Sequence, residues 1–170
     1  MSPEEFQKFY PFVAGWLQKT LAKYATLAQT VASRAFPRLP DYFAPITLAT
    51  SKVVLVDQMP RPPLSSWGFS RFADFEHGNF SGITFLDTFF IKQDQSENET
   101  LHFHELIHVI QWRVLGPERF LYLYADGLER FGYRNSPLEA MAYNAEARFV
   151  GSTAKFNAEE LVADAVARVA

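Results

Sequence analysis

Apolar residues near the start of the chain recur every three or four positions, which is the spacing of a helix with one buried face. They follow a start signal in which Ser2 is an N-cap, Pro3 is the first helical residue and Glu5 completes a capping box. Pro37 and the residues after it end the periodic stretch. The sequence therefore predicts a long N-terminal helix over about residues 2–35.

Two stretches in the middle of the chain, 52–56 and 81–92, are rich in β-branched and aromatic residues and predict strands. The segment 60–79 between them combines Pro, Ser, Gly and aromatic residues and predicts a long loop. Long ordered loops are typical of lids and binding walls, and a loop that only covers one side of the sheet is the simpler alternative. We expect His77 in this segment to be solvated.

Four helices are predicted in the second half of the chain. The first starts at a capping sequence at Ser96 and ends at Gly116, and the second occupies about 118–132. The third has the same kind of start signal and covers about 136–150. A last amphipathic stretch at about 157–169 is rich in alanine, so we expect it to pack loosely.

These elements predict one α+β domain over residues 1–170, mostly helical, with a small β-sheet beside the helix that starts at Ser96. Within it we expect the N-terminal helix at about 2–35, the core that carries the chemistry at about 45–150, and the C-terminal helix at about 157–169. A chain of 170 residues with 48% hydrophobic content has the usual size and composition of one domain.

Charge and cysteine content narrow the possible functions. A net charge of -3 provides no basic field, so we expect no nucleic-acid partner. The sequence has no cysteine, which excludes disulfides, thiolate nucleophiles and thiolate metal ligands. The N-terminus is acidic where a secretory signal is basic, and no apolar run approaches the roughly 20 residues that span a bilayer. A cytoplasmic protein without a membrane span is expected.

Residues 104–108 read His-Glu-Leu-Ile-His, an HExxH pattern inside a predicted helix. Side chains four residues apart lie on the same helix face, so the imidazoles of His104 and His108 can converge on one Zn²⁺. Glu105 lies about 100° further around the helix, where it can accept a proton from water activated by the metal. The neighbouring residues are apolar, and buried His and Glu side chains are costly unless they are paired or bind a metal. A pair of core histidines satisfied by hydrogen bonds is the alternative.

A zinc site of this kind takes a third protein ligand and leaves one position for water. His77 and His102 are poorly placed for that role, and we expect His102 to support the ligands from behind or to face solvent. Glu139 and Glu146 are seven residues apart on one predicted helix, so they share a face and either can reach the metal. Glu139 is also the residue that a capping box started by Ser136 requires. Spacing alone leaves these roles open.

The stretches 104–112 and 132–140 resemble small bacterial HExxH proteins of the gluzincin type, a group that includes the thermolysin-like peptidases. The resemblance covers about residues 80–150. It implies a zincin-like fold, one Zn²⁺ per chain, and hydrolysis of a peptide or protein substrate with Glu105 as general base. The implied metal ligands are His104, His108 and Glu139.

One position departs from the pattern of the thermolysin-like enzymes, which place an aspartate four residues after the third ligand to orient a zinc-bound histidine. This chain has Tyr143 there. We therefore expect another imidazole partner, with Asp87, Asp126 and Glu146 as candidates. The candidates for stabilising an oxyanion, each of which can instead have a packing or surface role, are Tyr133, Arg134 and Tyr143.

The sequence therefore predicts a zinc-dependent hydrolase, and the resemblance favours a peptidase. The alternatives are a catalytically silent zinc-binding module in a larger assembly and an interaction protein without a metal. Glu105 disfavours the silent module, because a purely structural zinc site needs no carboxylate beside the metal. Oligomeric state and cleavage specificity are left open.

Overall fold

The computed structural model describes residues 1–169 and shows an α+β fold in which helices surround a small mixed sheet. The helices are α1 (Pro3–Tyr24), α2 (Pro45–Thr50), α3 (Ala73–His77), α4 (Glu99–Leu115), α5 (Pro117–Phe131), α6 (Pro137–Gly151) and α7 (Ala158–Val169). The strands are β1 (Gln29–Thr30), β2 (Lys52–Val56), β3 (Gly82–Phe85) and β4 (Thr88–Lys92). The predicted class, a mostly helical α+β protein with a small sheet, is confirmed. Residue 170, which the predicted domain includes, lies outside the described residues.

The sheet has the strand order β1-β2-β4-β3. Strands β2 and β4 are parallel, with Val54 opposite Phe90, and the other two pairs are antiparallel. The predicted strand at 52–56 is observed, and the predicted strand region 81–92 divides into β3 and β4 around a tight turn. Strand β3 therefore forms one edge of the sheet, and it contacts α4 directly.

Side chains of the sheet alternate between two hydrophobic cores, as the period of a strand requires. Val53 and Phe89 belong to a core that α4, α6 and α7 share, whereas Val54 and Phe90 belong to a core that includes α1 and α5. Helix α4 contributes to both cores, and every residue in 102–112 is buried. The HExxH segment therefore lies in the interior of the protein.

The N-terminal helix is shorter than predicted, because α1 ends at Tyr24 and not near residue 35. The chain turns after α1 so that Gln29 can pair with Val53 at the edge of β2. The Thr30 side chain then caps a short 3-10 turn, and Val31 enters the core from that turn. The apolar residues after Tyr24 thus belong to a strand and a turn. The apolar period of the local sequence does not reveal that this strand pairs with β2.

The start of α4 and the packing of α7 also differ from the sequence prediction. The N-cap of α4 is Asn98 and not Ser96, because the Oδ1 atom of Asn98 accepts a hydrogen bond from the Leu101 amide at 3.1 Å. The expectation that the last helix packs loosely is wrong. Ala158 and Val162 in α7 are fully buried in the core that contains α4.

The segment 60–79 is not irregular throughout, because it contains α3 and two 3-10 turns. Phe72 from this segment is buried against Phe9 of α1. The segment therefore covers the core on the side of α1 and also supplies walls for the site described below. Among residues 1–169, no helix combines the length and the apolar character needed to cross a membrane.

Candidate metal centre

Helices α4 and α6 bring three metal-binding side chains together. The Nε2 atoms of His104 and His108 lie 3.2 Å apart. Glu139 reaches them from α6, with Oε2 at 3.6 Å from His104 Nε2 and Oε1 at 3.5 Å from His108 Nε2. The three side chains are 5%, 6% and 2% exposed, and their ligand atoms all lie within 4.8 Å of one another. The three predicted ligands thus form one buried group.

The Nδ1 atom of each imidazole, its outer nitrogen, faces away from the group and lies at hydrogen-bond distance from an acceptor oxygen. His104 Nδ1 lies 2.7 Å from Oε2 of Glu146, and His108 Nδ1 lies 2.8 Å from Oε1 of Gln111. The amide of Gln111 donates to the Leu138 carbonyl at 2.9 Å, which orients its oxygen toward His108. Because both Nδ1 atoms donate, the lone pairs of the two neutral rings are on the Nε2 atoms and point into the group.

This donor set fits a divalent cation such as Zn²⁺. Two nitrogen lone pairs and a carboxylate face one another in a buried space, which is unfavourable without a positive charge between them. Oε2 of Glu139 is buried and has no hydrogen-bond partner among the described residues. Two imidazoles and one carboxylate are also a common ligand set for zinc, and they leave a fourth position open.

The electrostatics of the group favour positive charge. Burial by itself lowers the pKa of His104, but its contacts with the carboxylates of Glu139 and Glu146 outweigh burial and raise that pKa to about 10. Burial by itself raises the pKa of Glu139, but the nearby His108 and His104 hold it well below its usual range. The same field that would hold a proton on the imidazoles attracts a metal cation.

Glu105 lies beside the group and is not a member of it. Its Oε2 accepts a 2.6 Å hydrogen bond from Oγ1 of Thr84 on the edge strand β3. Its carboxylate also lies against Gly82, where an added Cβ would overlap Oε1 and lie 2.8 Å from Cδ. The absence of a side chain at position 82 therefore leaves room for the observed position of the Glu105 carboxylate.

Glu139 does not act as a helix cap. Ser136 is the N-cap of α6, but its side chain makes no capping hydrogen bond and its Oγ is buried without a partner among the described residues. The Glu139 carboxylate is directed away from Ser136, and its Oε1 accepts a 2.7 Å hydrogen bond from the Tyr124 hydroxyl of α5. The capping role that spacing left open for Glu139 is therefore wrong. The other glutamate, Glu146, contacts the outer nitrogen of His104.

The other two histidines lie away from the group. His77 is exposed, as expected. His102 is fully buried, with its ring 4.5 Å from Phe36 and 5.6 Å from Phe89 between ring centres. Its Nδ1 lies 2.9 Å from the Asn98 carbonyl, and burial lowers its pKa to about 4. The expectation that His102 faces solvent or supports the ligands is wrong, because it belongs to the core on the opposite face of α4.

The three candidate imidazole partners lie in different parts of the structure and make different contacts. Asp87 lies in the turn between β3 and β4 and accepts a hydrogen bond from Thr88. Asp126 pairs with the N-terminal amine at 2.8 Å. Glu146 alone of the three candidates contacts an imidazole of the group. The ring of Tyr143, the residue four positions after Glu139, packs 4.7 Å from the ring of His104.

The three candidate oxyanion donors differ in their surroundings. The Arg134 guanidinium is exposed and lies 4.9 Å from the centre of the Tyr143 ring. Tyr133 packs against Phe80, and burial together with the carboxylates of Glu139 and Glu105 raises its pKa. The Tyr133 hydroxyl therefore stays protonated and can donate a hydrogen bond.

Two spaces meet beside Glu105. An apolar cavity of about 70 Å³ begins at Glu105, His108 and Glu139 and extends between α1 and α5. A polar groove lies on the other side, and its lining includes Arg134. Glu105 and Tyr133 line both spaces, so the groove and the cavity adjoin beside the metal centre.

Sequence reasoning missed several residues that hold the site. Gln111 lies three positions after His108 on the same helix, so helical spacing contained a signal for this contact. Thr84, Gly82 and Tyr124 reach the site only through the packing of β3 and α5 against α4 and α6. No local pattern in the sequence carries that information.

Comparison with family models, curated proteins and solved structures found no match. The class that fold and site define is an α+β protein with a buried His-His-Glu group in which a metal can bind.

Proposed function

We propose that this protein is a zinc-dependent hydrolase of zincin-like fold, most similar in its chemistry to a metallopeptidase. One observation carries the proposal: two imidazole nitrogens and the Glu139 carboxylate converge in a buried group, while the Glu105 carboxylate lies next to that group and outside it. A structural zinc site needs only the three converging ligands, without a further carboxylate. An additional carboxylate at the junction of two ligand-accessible spaces supports catalysis.

The ligands would be His104, His108 and Glu139, with one Zn²⁺ per chain. Bound zinc supplies a Lewis acid that polarises a carbonyl and lowers the pKa of water to about 7. Glu105 takes the proton from the attacking water at Oε1 and returns it to the leaving amine, while Thr84 fixes its other oxygen. Glu146 and Gln111 hold the two imidazoles in the orientation that keeps their Nε2 atoms available.

The Tyr133 hydroxyl is the oxyanion donor that the surroundings favour. It remains protonated, and its side chain lines both the groove and the cavity at the point where they meet. Tyr143 packs on the ring of His104 instead, and Arg134 lies over Tyr143 in the exposed part of the groove.

Metal analysis of protein purified without chelator tests the proposal directly. We expect about one equivalent of zinc per chain and cleavage of a peptide library, with the cleavage lost after chelation and restored by added zinc. Protein that neither retains metal nor binds added zinc would contradict the metal centre. Protein that holds zinc but cleaves no peptide would support the silent metal-binding module instead.

Replacing Gly82 with alanine should separate catalysis from metal binding. The new methyl group would displace the Glu105 carboxylate, and a shift of about 1 Å at a reacting group can cost roughly 10²-fold in rate. We expect that loss in kcat with zinc content unchanged, measured by peptide hydrolysis and metal analysis. Gly15→Ala on α1 is the matched control, because nothing lies within 4 Å of its added Cβ. Full activity in Gly82→Ala would show that the position of Glu105 is unimportant.

A further inference from the structure

The two oxygens of the Glu139 carboxylate have different surroundings. Oε1 lies 2.7 Å from the hydroxyl oxygen of Tyr124, and because an ionised carboxylate only accepts hydrogen bonds, the hydroxyl is the donor. Oε2 is buried, has no hydrogen-bond partner within residues 1–169, and lies 3.6 Å from Nε2 of His104. One oxygen is therefore engaged by the protein, and the other is available to a cation.

The hydroxyl of Tyr124 is held in place by other aromatic rings. The Tyr124 ring stacks on Phe120, one helical turn earlier in α5, with ring centres 5.5 Å apart and planes within 13° of each other. Phe120 in turn stacks on Trp112 of α4 at 3.9 Å. Phe75 meets the Tyr124 ring edge to face at 5.8 Å. These contacts restrict the ring and so fix the direction of the hydroxyl.

The same stack is connected to the proposed general base. The indole nitrogen of Trp112 donates a hydrogen bond to the Thr84 carbonyl at 3.2 Å. The Thr84 hydroxyl donates to Oε2 of Glu105 at 2.6 Å. A continuous series of contacts therefore runs from Glu105 through the stack to Tyr124 and Glu139, so the support of the third ligand and the support of the base belong to one framework.

A glycine allows α5 to lie close to the start of α6. Gly127 is three residues after Tyr124, and a Cβ added there would lie 3.0 Å from Cδ of Pro137 and 3.0 Å from Cβ of Ser136. A side chain at position 127 would push the two helices apart. The close approach lets the Tyr124 hydroxyl reach the Glu139 carboxylate directly.

We propose that Tyr124 is a positioning residue that makes Glu139 a one-oxygen metal ligand. This inference rests on the ligand set of the proposed function. A carboxylate can bind a metal ion through one oxygen or through both. With Oε1 engaged by Tyr124, Glu139 offers Oε2 alone, so a fourth position stays open beside the two imidazoles and this oxygen. Without the hydroxyl, Oε1, which lies 3.5 Å from Nε2 of His108, turns to the metal and fills that position.

Tyr124→Phe tests the role of the hydroxyl because it leaves the ring stack intact. The probe is β-mercaptoethanol added to protein loaded with Co²⁺, since a thiolate bound to Co²⁺ at an open position absorbs strongly in the near ultraviolet. We expect this variant to bind the thiol at least about tenfold more weakly than the unmodified protein, and to keep its Co²⁺ affinity within about tenfold. Unchanged thiol affinity would overturn the proposal. A lower Co²⁺ affinity with unchanged thiol affinity would also overturn it, because Tyr124 would then only orient the ligand.

Two other tyrosines provide matched controls. Tyr122→Phe is the same replacement on the same helix, and the Tyr122 hydroxyl lies 3.4 Å from the Met1 carbonyl, away from the metal group. Tyr133→Phe removes the hydroxyl that we propose as oxyanion donor. We expect both variants to bind the thiol like the unmodified protein, and Tyr133→Phe to lower kcat. An equal loss of thiol binding in all three variants would overturn the assignment to Tyr124.

Peptide hydrolysis by the zinc-loaded protein separates this inference from the proposed function. Cleavage that depends on zinc, together with equal thiol binding in Tyr124→Phe and the unmodified protein, overturns the role of Tyr124 and leaves the hydrolase standing. Thiol binding that depends on Tyr124, without cleavage of any peptide, overturns the hydrolase and leaves the positioning role standing. Protein that binds no Co²⁺ overturns both.

Discussion

Glu105→Gln is expected to retain a full equivalent of zinc and to lose about 10²- to 10⁴-fold in kcat, the usual contribution of a general base. The amide keeps the shape of the side chain, and its oxygen can still accept the hydrogen bond from Thr84. It cannot accept the proton of the attacking water at neutral pH. Steady-state hydrolysis and metal analysis on the same preparation measure both quantities.

Thr84→Val is a useful companion to Glu105→Gln, because it removes the hydroxyl that holds the Glu105 carboxylate but leaves the carboxylate itself. We expect a smaller loss of kcat in this variant than in Glu105→Gln. If Glu105→Gln had unchanged activity, Glu105 would have no part in the chemistry. If it lost its zinc, the carboxylate would be part of the metal group after all.

Removal of a ligand should be far more damaging to zinc binding than removal of the residue behind it. We expect His108→Ala and Glu139→Ala to lose stoichiometric zinc binding, because each removes one of three donors from a buried group. Glu146→Ala removes only the partner of the outer nitrogen of His104, so a 10- to 100-fold lower affinity is expected. Competition against a chelator of known affinity ranks the three variants.

Glu139 and Glu146 are well matched for this comparison, since both are glutamates of α6 and both approach His104. Near-native affinity in Glu139→Ala together with complete loss in Glu146→Ala would reverse the assignment. Circular dichroism of each apo variant establishes that the helices are intact, so that a lost fold is not mistaken for a lost ligand.

Local signals predicted much of this architecture. The strand at 52–56 is rich in β-branched residues, and the helices after residue 98 begin and end near Pro, Gly and capping residues, so their positions could be predicted within a few residues. The end of α1 could not. Its apolar period continues past Tyr24, and only the pairing of Gln29 with β2 shows that the chain has already turned.

In the candidate site, too, some features follow from local sequence and others depend on tertiary contacts. The helical period places His104 and His108 on one face of α4, and it also places Glu139 and Glu146 on one face of α6, from which either could be the third donor. The choice between these two glutamates depends on how α6 packs across α4, which is a tertiary contact. Thr84 and Tyr124 come from still other elements, so their hydrogen bonds to Glu105 and Glu139 had no counterpart in the sequence pattern.

The metal donors come from two helices that are separated in sequence, so zinc binding is coupled to the stability of the folded protein. His108 and Glu139 belong to α4 and α6, and α5 lies between them in sequence, so an unfolded chain does not hold these donors together. Under the proposed ligand set, zinc acts as a reversible crosslink that binds the native state alone. Free zinc at about 100 times its Kd would add roughly 2.7 kcal/mol to the free energy of unfolding. In a cell that limits free zinc, the lifetime of this protein would then depend on metal availability as well as on its own packing.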